Sequence, residues 1–292
     1  MNTKTFGDRL LMIFIYGVLI LLAVSTLVPF LNVFSKAVSQ EWAIVSGKVG
    51  FYPIGFQLDT MMFVITSNTF IRSLFISTVV TVGGTILSLA LTAVTAYPLS
   101  KRNLPGIGGV MVLFVFTMMF NGGLIPNYLL IRKLGLINDL WSLILPALIN
   151  VFNLLVIKSY YESLPESLEE SARMDGARNF TVLFRIILPL SMPVIATIAL
   201  FYAVHFWNDY FNPMLYISDP SLKPLQLYLR DIVMDADSAS AGLNRTVDDM
   251  MNVPPEGVRA ATVIASTVPI LLVYPFLQKY FIKGVLIGSV KG

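Results

Sequence analysis

Hydrophobic residues along this chain gather into long unbroken runs, not into single faces of shorter segments. Residues 10–35, 73–100, 103–131, 140–157, 186–208 and 260–278 contain no Asp, Glu, Lys or Arg. At 1.5 Å per residue, roughly 20 apolar residues cross the ~30 Å hydrocarbon core of a bilayer, and somewhat shorter runs still suffice. The alternation that marks membrane-spanning strands is missing from these runs. The pattern predicts an all-α polytopic membrane protein with six transmembrane helices, at about residues 10–35, 73–100, 105–127, 140–158, 184–208 and 260–280. All of them are assigned to one transmembrane domain over residues 1–292.

The flanking charges orient the bundle. The first run is too long for the apolar region of a signal peptide, and no small-x-small cleavage pattern follows it promptly. With Lys4 and Arg9 ahead of it, it reads as a retained anchor whose amino end is cytoplasmic. Six crossings then leave both termini inside, with inner segments at 101–106 and 158–185. Eleven of the 20 basic residues fall on the inner segments, against six of the 17 acidic ones. That bias follows the positive-inside rule. The outer loops are 36–72, 132–139 and 209–259, the last punctuated by Pro213, Pro220, Pro224, Pro254 and Pro255.

Composition agrees and removes several function classes. Of 292 residues, 56% are hydrophobic and 13% charged, where a soluble domain carries roughly 25% charged residues. A net charge of +3 without a basic cluster gives no footprint for a nucleic acid. Cysteine is absent, which excludes disulfides and thiol chemistry, and one histidine, His205, cannot build a multi-histidine metal site. There is no G-x-x-x-x-G-K-[ST] phosphate loop, so ATP is not hydrolysed here by that route. None of the six runs holds a carboxylate, the usual mark of proton coupling. Work done by this chain has to be powered elsewhere.

Between the fourth and fifth predicted helices lies Ser163-Leu-Pro-Glu-Ser-Leu-Glu-Glu-Ser-Ala-Arg-Met-Asp-Gly176. Ser163 and Glu166 have capping-box spacing, and Gly176 suits the left-handed position that ends a helix. Glu169 and Arg173 form an i,i+4 pair in the favourable order, while Leu168 and Ala172 share one face. A second helix is expected to start near Thr181 and enter the membrane through Ile186, Leu188 and Pro189. A solvated loop helix accounts for such a charged segment; so does a short lever that carries a push from a cytoplasmic partner.

The spacing discriminates between them. Glu170-Ser-Ala172, Gly176, Ile186, Leu188 and Pro189 resemble the signature E-A-A-x3-G-x9-I-x-L-P of permease subunits of binding-protein-dependent ABC importers, with Ser171 in place of the first Ala. Ala96-Tyr-Pro-Leu-Ser-Lys101 is similar to the A-Y-x-L-S-[KR] of maltose-permease-type carbohydrate permeases. Phe120-Asn-Gly-Gly-Leu-Ile-Pro126, Leu134-Gly-Leu136 and Leu143-Ile-Leu-Pro146 resemble a subgroup importing oligosaccharides derived from complex polysaccharides, and Phe206-Trp-Asn-Asp-Tyr210 resembles that family's W-N-[DE]-[FY] element. The resemblance implies a type I importer fold and a multi-pass protein of the bacterial cell membrane. It also implies a non-enzymatic subunit pairing with a second, homologous permease, two ATPase subunits and an extracellular sugar-binding protein. Cofactors are then none on this chain, with ATP and Mg held by the ATPases. Glu169, Glu170, Ser171, Ala172, Asp175, Gly176, Ile186, Leu188 and Pro189 become the ATPase-coupling residues.

At the outer end of the fifth helix, His205, Trp207, Asn208, Asp209 and Tyr210, with Asn121 near the end of the third, are candidates for the substrate path. Aromatic rings stack on the C–H faces of a sugar, and Asn and Asp bond its hydroxyls. An interfacial aromatic belt explains Trp207 and Tyr210 equally well. Asp231, Asp235, Asp237, Asp248 and Asp249 read as a solvated acidic loop face. The alternative to an ATP-driven importer is an ion-coupled secondary transporter or channel acting without an ATPase.

Overall fold

A computed structural model describes residues 6–101, 104–120, 122–240 and 256–289. Every regular element among the described residues is helical. The chain opens with α1 (Phe6–Ala37), followed by α2 (Glu41–Val45), α3 (Asp59–Thr66) and α4 (Asn68–Leu99). After these come α5 (Ile107–Met119), α6 (Leu124–Lys133), α7 (Trp141–Ile144) and α8 (Val151–Glu162). Next are α9 (Glu166–Met174), α10 (Asn179–Val182), α11 (Leu188–Leu190) and α12 (Met192–Asn208). The last three are α13 (Phe211–Tyr216), α14 (Leu225–Ser240) and α15 (Glu256–Ser289).

Helices α1 and α4 are continuous and long and apolar enough to cross a membrane. The third, fourth and fifth predicted spans are broken into pairs: α5 with α6, α7 with α8, and α10–α11 with α12. The sequence reading drew each of these spans as one helix; the causes of the breaks are local. Pro146 lies in a 3-10 turn after α7, and Asn150 then restarts the chain as the N-cap of α8, accepting from the Asn153 N–H at 3.1 Å, which leaves a 47° bend. Before α12, Pro189 lacks an N–H and its ring crowds the carbonyl four residues back. The backbone widens there into a π turn over Leu183–Ile187, and Ser191 and Pro193 then restart the helix at an 83° bend.

Two compact units divide the chain. In the first, residues 1–70 and 231–269, Lys36 at the end of α1 pairs with Glu256 at the start of α15. Beside that pair the backbone of Gly257 comes so close to Glu41 that an added Cβ would stand 2.7 Å from its carboxylate oxygen. Ala43, Ile44 and Val49 make a small core there. Most α1 side chains from Leu10 to Leu31 are exposed in the isolated chain, as suits a helix apolar all round whose surroundings are hydrocarbon or another subunit.

The second unit, residues 71–230 and 270–292, holds the larger core. Ile76, Val80, Ala93 and Ala96 of α4 meet Leu154 and Ile157 of α8 and Ile195, Ile198, Tyr202 and Phe206 of α12. Tyr202, 1% exposed, is the polar centre of this core. Its hydroxyl accepts from the Asn150 N–H at 3.0 Å and shares a hydrogen bond of 2.7 Å with the Thr92 hydroxyl. One phenol therefore joins α4, α12 and the break before α8, which is how freed backbone at membrane depth has to be satisfied. The outer loop of the sequence reading is not bare either: Pro213, Pro220 and Pro224 sit where α13, a 3-10 turn and α14 begin.

Candidate coupling site

Helix α9 is short and charged, and how it is held matters more than its length. The capping box between Ser163 and Glu166 does not form. Ser163 ends α8 and turns its hydroxyl back to the Tyr160 carbonyl, and Pro165, fixed at φ −59°, takes the N-cap position without a side-chain cap. At the other end the expectation holds. Gly176 has φ +83°, and the Ala177 N–H returns to the Ala172 carbonyl at 2.9 Å while the Gly176 N–H reaches Arg173 O at 3.0 Å. This left-handed exit turns the chain sharply into α10, the π turn and α11.

The two faces of α9 differ. Ala172 is buried, in the same core cluster as Val182, Leu183 and Ile187. Glu170, Ser171, Asp175 and Gly176 are exposed, Ile186 and Leu188 are half-buried, and Pro189 is exposed. Glu169 does not close on Arg173. Its carboxylate ion-pairs with Lys101, just beyond the end of α4, and accepts from the Tyr97 hydroxyl at 3.3 Å. The Lys101 ammonium also lies 4.7 Å from the centroid of the Tyr97 ring. Arg173 instead donates to Asn179 Oδ1 at 2.9 Å, tying α9 to the start of α10. The Glu169 side chain is only 14% exposed, so this ion pair is screened less than a surface pair, which is worth roughly 0–1 kcal/mol.

A cavity of about 780 Å³ opens beside this pair, lined in part by Tyr97, Lys101, Tyr161, Glu166, Arg173 and Phe180. Next to the charged face, Met174 is 89% and Phe180 71% exposed, and the Phe180 ring stacks on Phe184 at 6.5 Å. Sequence reasoning placed Tyr97 and Lys101 in the Ala96–Lys101 element without giving them a role at α9, and it missed Met174 and Phe180. The opposite charges of Lys101 and Glu169 on two inner segments were the signal that could have paired them.

The outer residues are not brought to α9. They lie at the far end of α12, whose 17 residues span about 25 Å. His205 is exposed and meets the Phe206 ring edge-on at 5.4 Å. Trp207 is half-buried, Tyr210 exposed, and Asn208 donates to the Val204 carbonyl at 2.9 Å. Asp209 is occupied by the backbone: it accepts from the N–H groups of Phe211 at 3.1 Å and Asn212 at 3.2 Å, and from the Asn212 side chain at 2.8 Å. It thereby starts α13. Burial, and after it the Asp209 charge, raises the pKa of Tyr216 on that helix. Asn121, Asp248 and Asp249 lie outside the described residues. Among the described residues no three His, Asp or Glu side chains group as metal ligands.

A family profile, the binding-protein-dependent transport system inner membrane component, matches residues 102–287. The chain belongs to that family. This permease is similar to the polygalacturonan/rhamnogalacturonan transport system permease protein YtcP of Bacillus subtilis (strain 168), 43% identical over 98% of the chain and 99% of the relative. It is similar also to protein LplC of the same organism, 47% identical over 91% of the chain and 90% of the relative. Among solved structures it resembles a chain of a bacterial ABC transporter involved in the import of the acidic polysaccharide alginate, with a TM-score of 0.87, 32% identity, and coverage of 96% of the permease and 100% of that chain. The permease therefore has the helical fold of an ABC importer membrane subunit and is a bacterial membrane protein.

Proposed function

We propose that this permease spans the membrane six times as one domain, with both termini cytoplasmic, and forms half of the translocation path of an ATP-driven importer. A second, homologous permease supplies the other half, two ATPase subunits hydrolyse ATP with Mg, and an extracellular binding protein delivers the sugar. The cargo is an oligosaccharide derived from a complex polysaccharide; the relatives' names, which carry polygalacturonan, rhamnogalacturonan and alginate, support this class.

The observation that carries the reading is α9. It offers Glu170, Ser171, Met174 and Asp175 outward, roots Ala172 in the core, and leaves through a left-handed Gly176 into the broken helix that ends in α12. Displacement of its outer face by an ATPase would be passed to α12 through that rigid turn. ATP binding then favours one arrangement of the bundle and the loaded binding protein selects the outward-open one, as any ligand with differential affinity shifts a population. His205 and Asn208 follow as path residues, since polar side chains exposed on an apolar helix are unfavourable against lipid.

Reconstitution tests this. The permease is purified from native membranes with whatever copurifies, placed in liposomes and supplied with binding protein and oligosaccharide. Uptake is expected to need ATP and a copurified ATPase chain. Uptake by the permease alone on an ion gradient would establish the secondary transporter instead.

A further inference from the structure

Docking to an ATPase does not explain why Glu169 is turned inward. Resting on the reading of α9 as the coupling helix, we propose that Lys101 and Tyr97 clasp Glu169 so that α4 becomes a second output of α9. A push on α9 is then delivered to α4 and α12 together.

The geometry closes a frame. Glu169 and Ala172 stand three residues apart and share the inner face of α9, one held by charge and the other by packing. Lys101 is fixed to the end of α4 by its N–H, which donates to the Pro98 carbonyl at 3.1 Å. Ser100 caps the same turn, its hydroxyl donating to the Tyr97 carbonyl at 2.7 Å. Tyr97, buried in the last turn of α4, adds its hydroxyl to the carboxylate and its ring to the ammonium. The clasp therefore grips a rigid helix end.

The other two sides of the frame are already tied. Covalently, α9 runs through Gly176, α10 and α11 to α12. Further along, α12 meets α4 at the Tyr202–Thr92 hydrogen bond of 2.7 Å. It meets α4 again at Gly84, where an added Cβ would stand 2.8 Å from the Phe206 ring. Moving α12 without α4 would break the clasp or these contacts. Contiguous packed and hydrogen-bonded elements of this kind carry coupling between sites. Lys101 and Tyr97 are positioning residues, acting on the coupling helix and not on the sugar.

The test uses the whole complex in lipid nanodiscs: the permease, the partner permease and ATPases that copurify with it, the binding protein and its oligosaccharide. The chain has no cysteine, so, with any cysteines of the copurified subunits and the binding protein replaced, nitroxide labels at Val94→Cys on α4 and Ser167→Cys on α9 report one distance. With Lys101 intact, that distance is expected to stay the same between nucleotide-free and ATP-bound complexes. A distance that changes on ATP binding overturns the proposal without any variant of the clasp. Separately, Lys101→Met and Glu169→Gln are expected to lower the oligosaccharide moved per ATP by at least about fivefold, within the range of allosteric coupling. The exchange Lys101→Glu with Glu169→Lys should restore most of it. Unchanged coupling in the single variants, or loss without rescue in the exchange, overturns the clasp and leaves the importer reading standing, provided an ATPase copurifies. If none does, the importer reading and the clasp fall together.

Discussion

Gly176 gives the most direct test of mechanical coupling, because its environment isolates one physical effect. Its φ is +83°, and a Cβ built on it meets nothing within 4 Å. A substitution there creates no clash with neighbours, so the whole penalty is the backbone's. For a β-branched residue that penalty is on the order of 1–2 kcal/mol. At about 1.4 kcal/mol per tenfold, the native turn in Gly176→Val would be disfavoured by roughly 5–30-fold against alternatives in which α9 continues. Those alternatives give up the 2.9 Å bond from the Ala177 N–H to Ala172 O, and so redirect Glu170 and Ser171. The site lies outside the core, so membrane insertion and assembly are expected to survive. The assay is ATP turnover of the purified complex, with and without loaded binding protein, for Gly176→Val and Gly176→Asn. Stimulation should fall steeply in the first and be largely kept in the second, since Asn visits the left-handed region at modest cost. Normal stimulation in Gly176→Val would refute the reasoning, and equal loss in both variants would move the cause from backbone strain to side-chain bulk.

Other outcomes follow from the same contacts. Ser171→Ala, at an exposed position, is expected to leave ATP turnover within experimental scatter of the parent; a large drop would give the hydroxyl a role in docking. Tyr202→Phe orphans the Asn150 N–H and costs about 1–2 kcal/mol, read as a lower melting temperature in detergent and as non-additivity with Thr92→Val; additive effects would deny the shared hydrogen bond. Asp209→Ala removes the acceptor of the first two N–H groups of α13 and costs about 1 kcal/mol, whereas Asp209→Asn keeps an acceptor and should keep transport; lost transport in the Asn variant at an unchanged melting temperature would reassign Asp209 to the sugar. The Ser221 backbone N–H, its largest influence, lowers the pKa of Asp219 from 3.8. A lowered carboxylate stabilises its turn above the unfolded pKa and loses that as pH falls through the folded one. A carbon-13 titration of Asp219 should thus show a midpoint below 3.8, and one above it would contradict the cap.

Much of this protein is determined by sequence alone. Membrane insertion depends on hydrophobicity summed over some twenty consecutive residues, so α1 and α4 could be placed from composition along the chain. The left-handed Gly176 is equally local, since only a residue without Cβ takes that φ cheaply. The missing phosphate loop and the spacing from Glu170 to Pro189 are covalent facts that no folding alters. Tertiary structure decided the rest. Whether Glu169 pairs with Arg173 one turn away or with Lys101, 68 residues away, depends on which face of α9 packs against α4, and helical periodicity cannot choose that face for a segment with charges on every side. Ser163 was free to cap α9 or to close α8, and the geometry of the Pro165 turn gave it to α8. Tyr202 looked like one more apolar position in an uncharged run, yet packing of α12 against α4 and α8 brings its hydroxyl to Thr92, 110 residues away, and to the Asn150 N–H that the break before α8 leaves open. Runs of apolar residues tell where a chain enters the membrane; the crossing of its helices decides which polar groups find each other there.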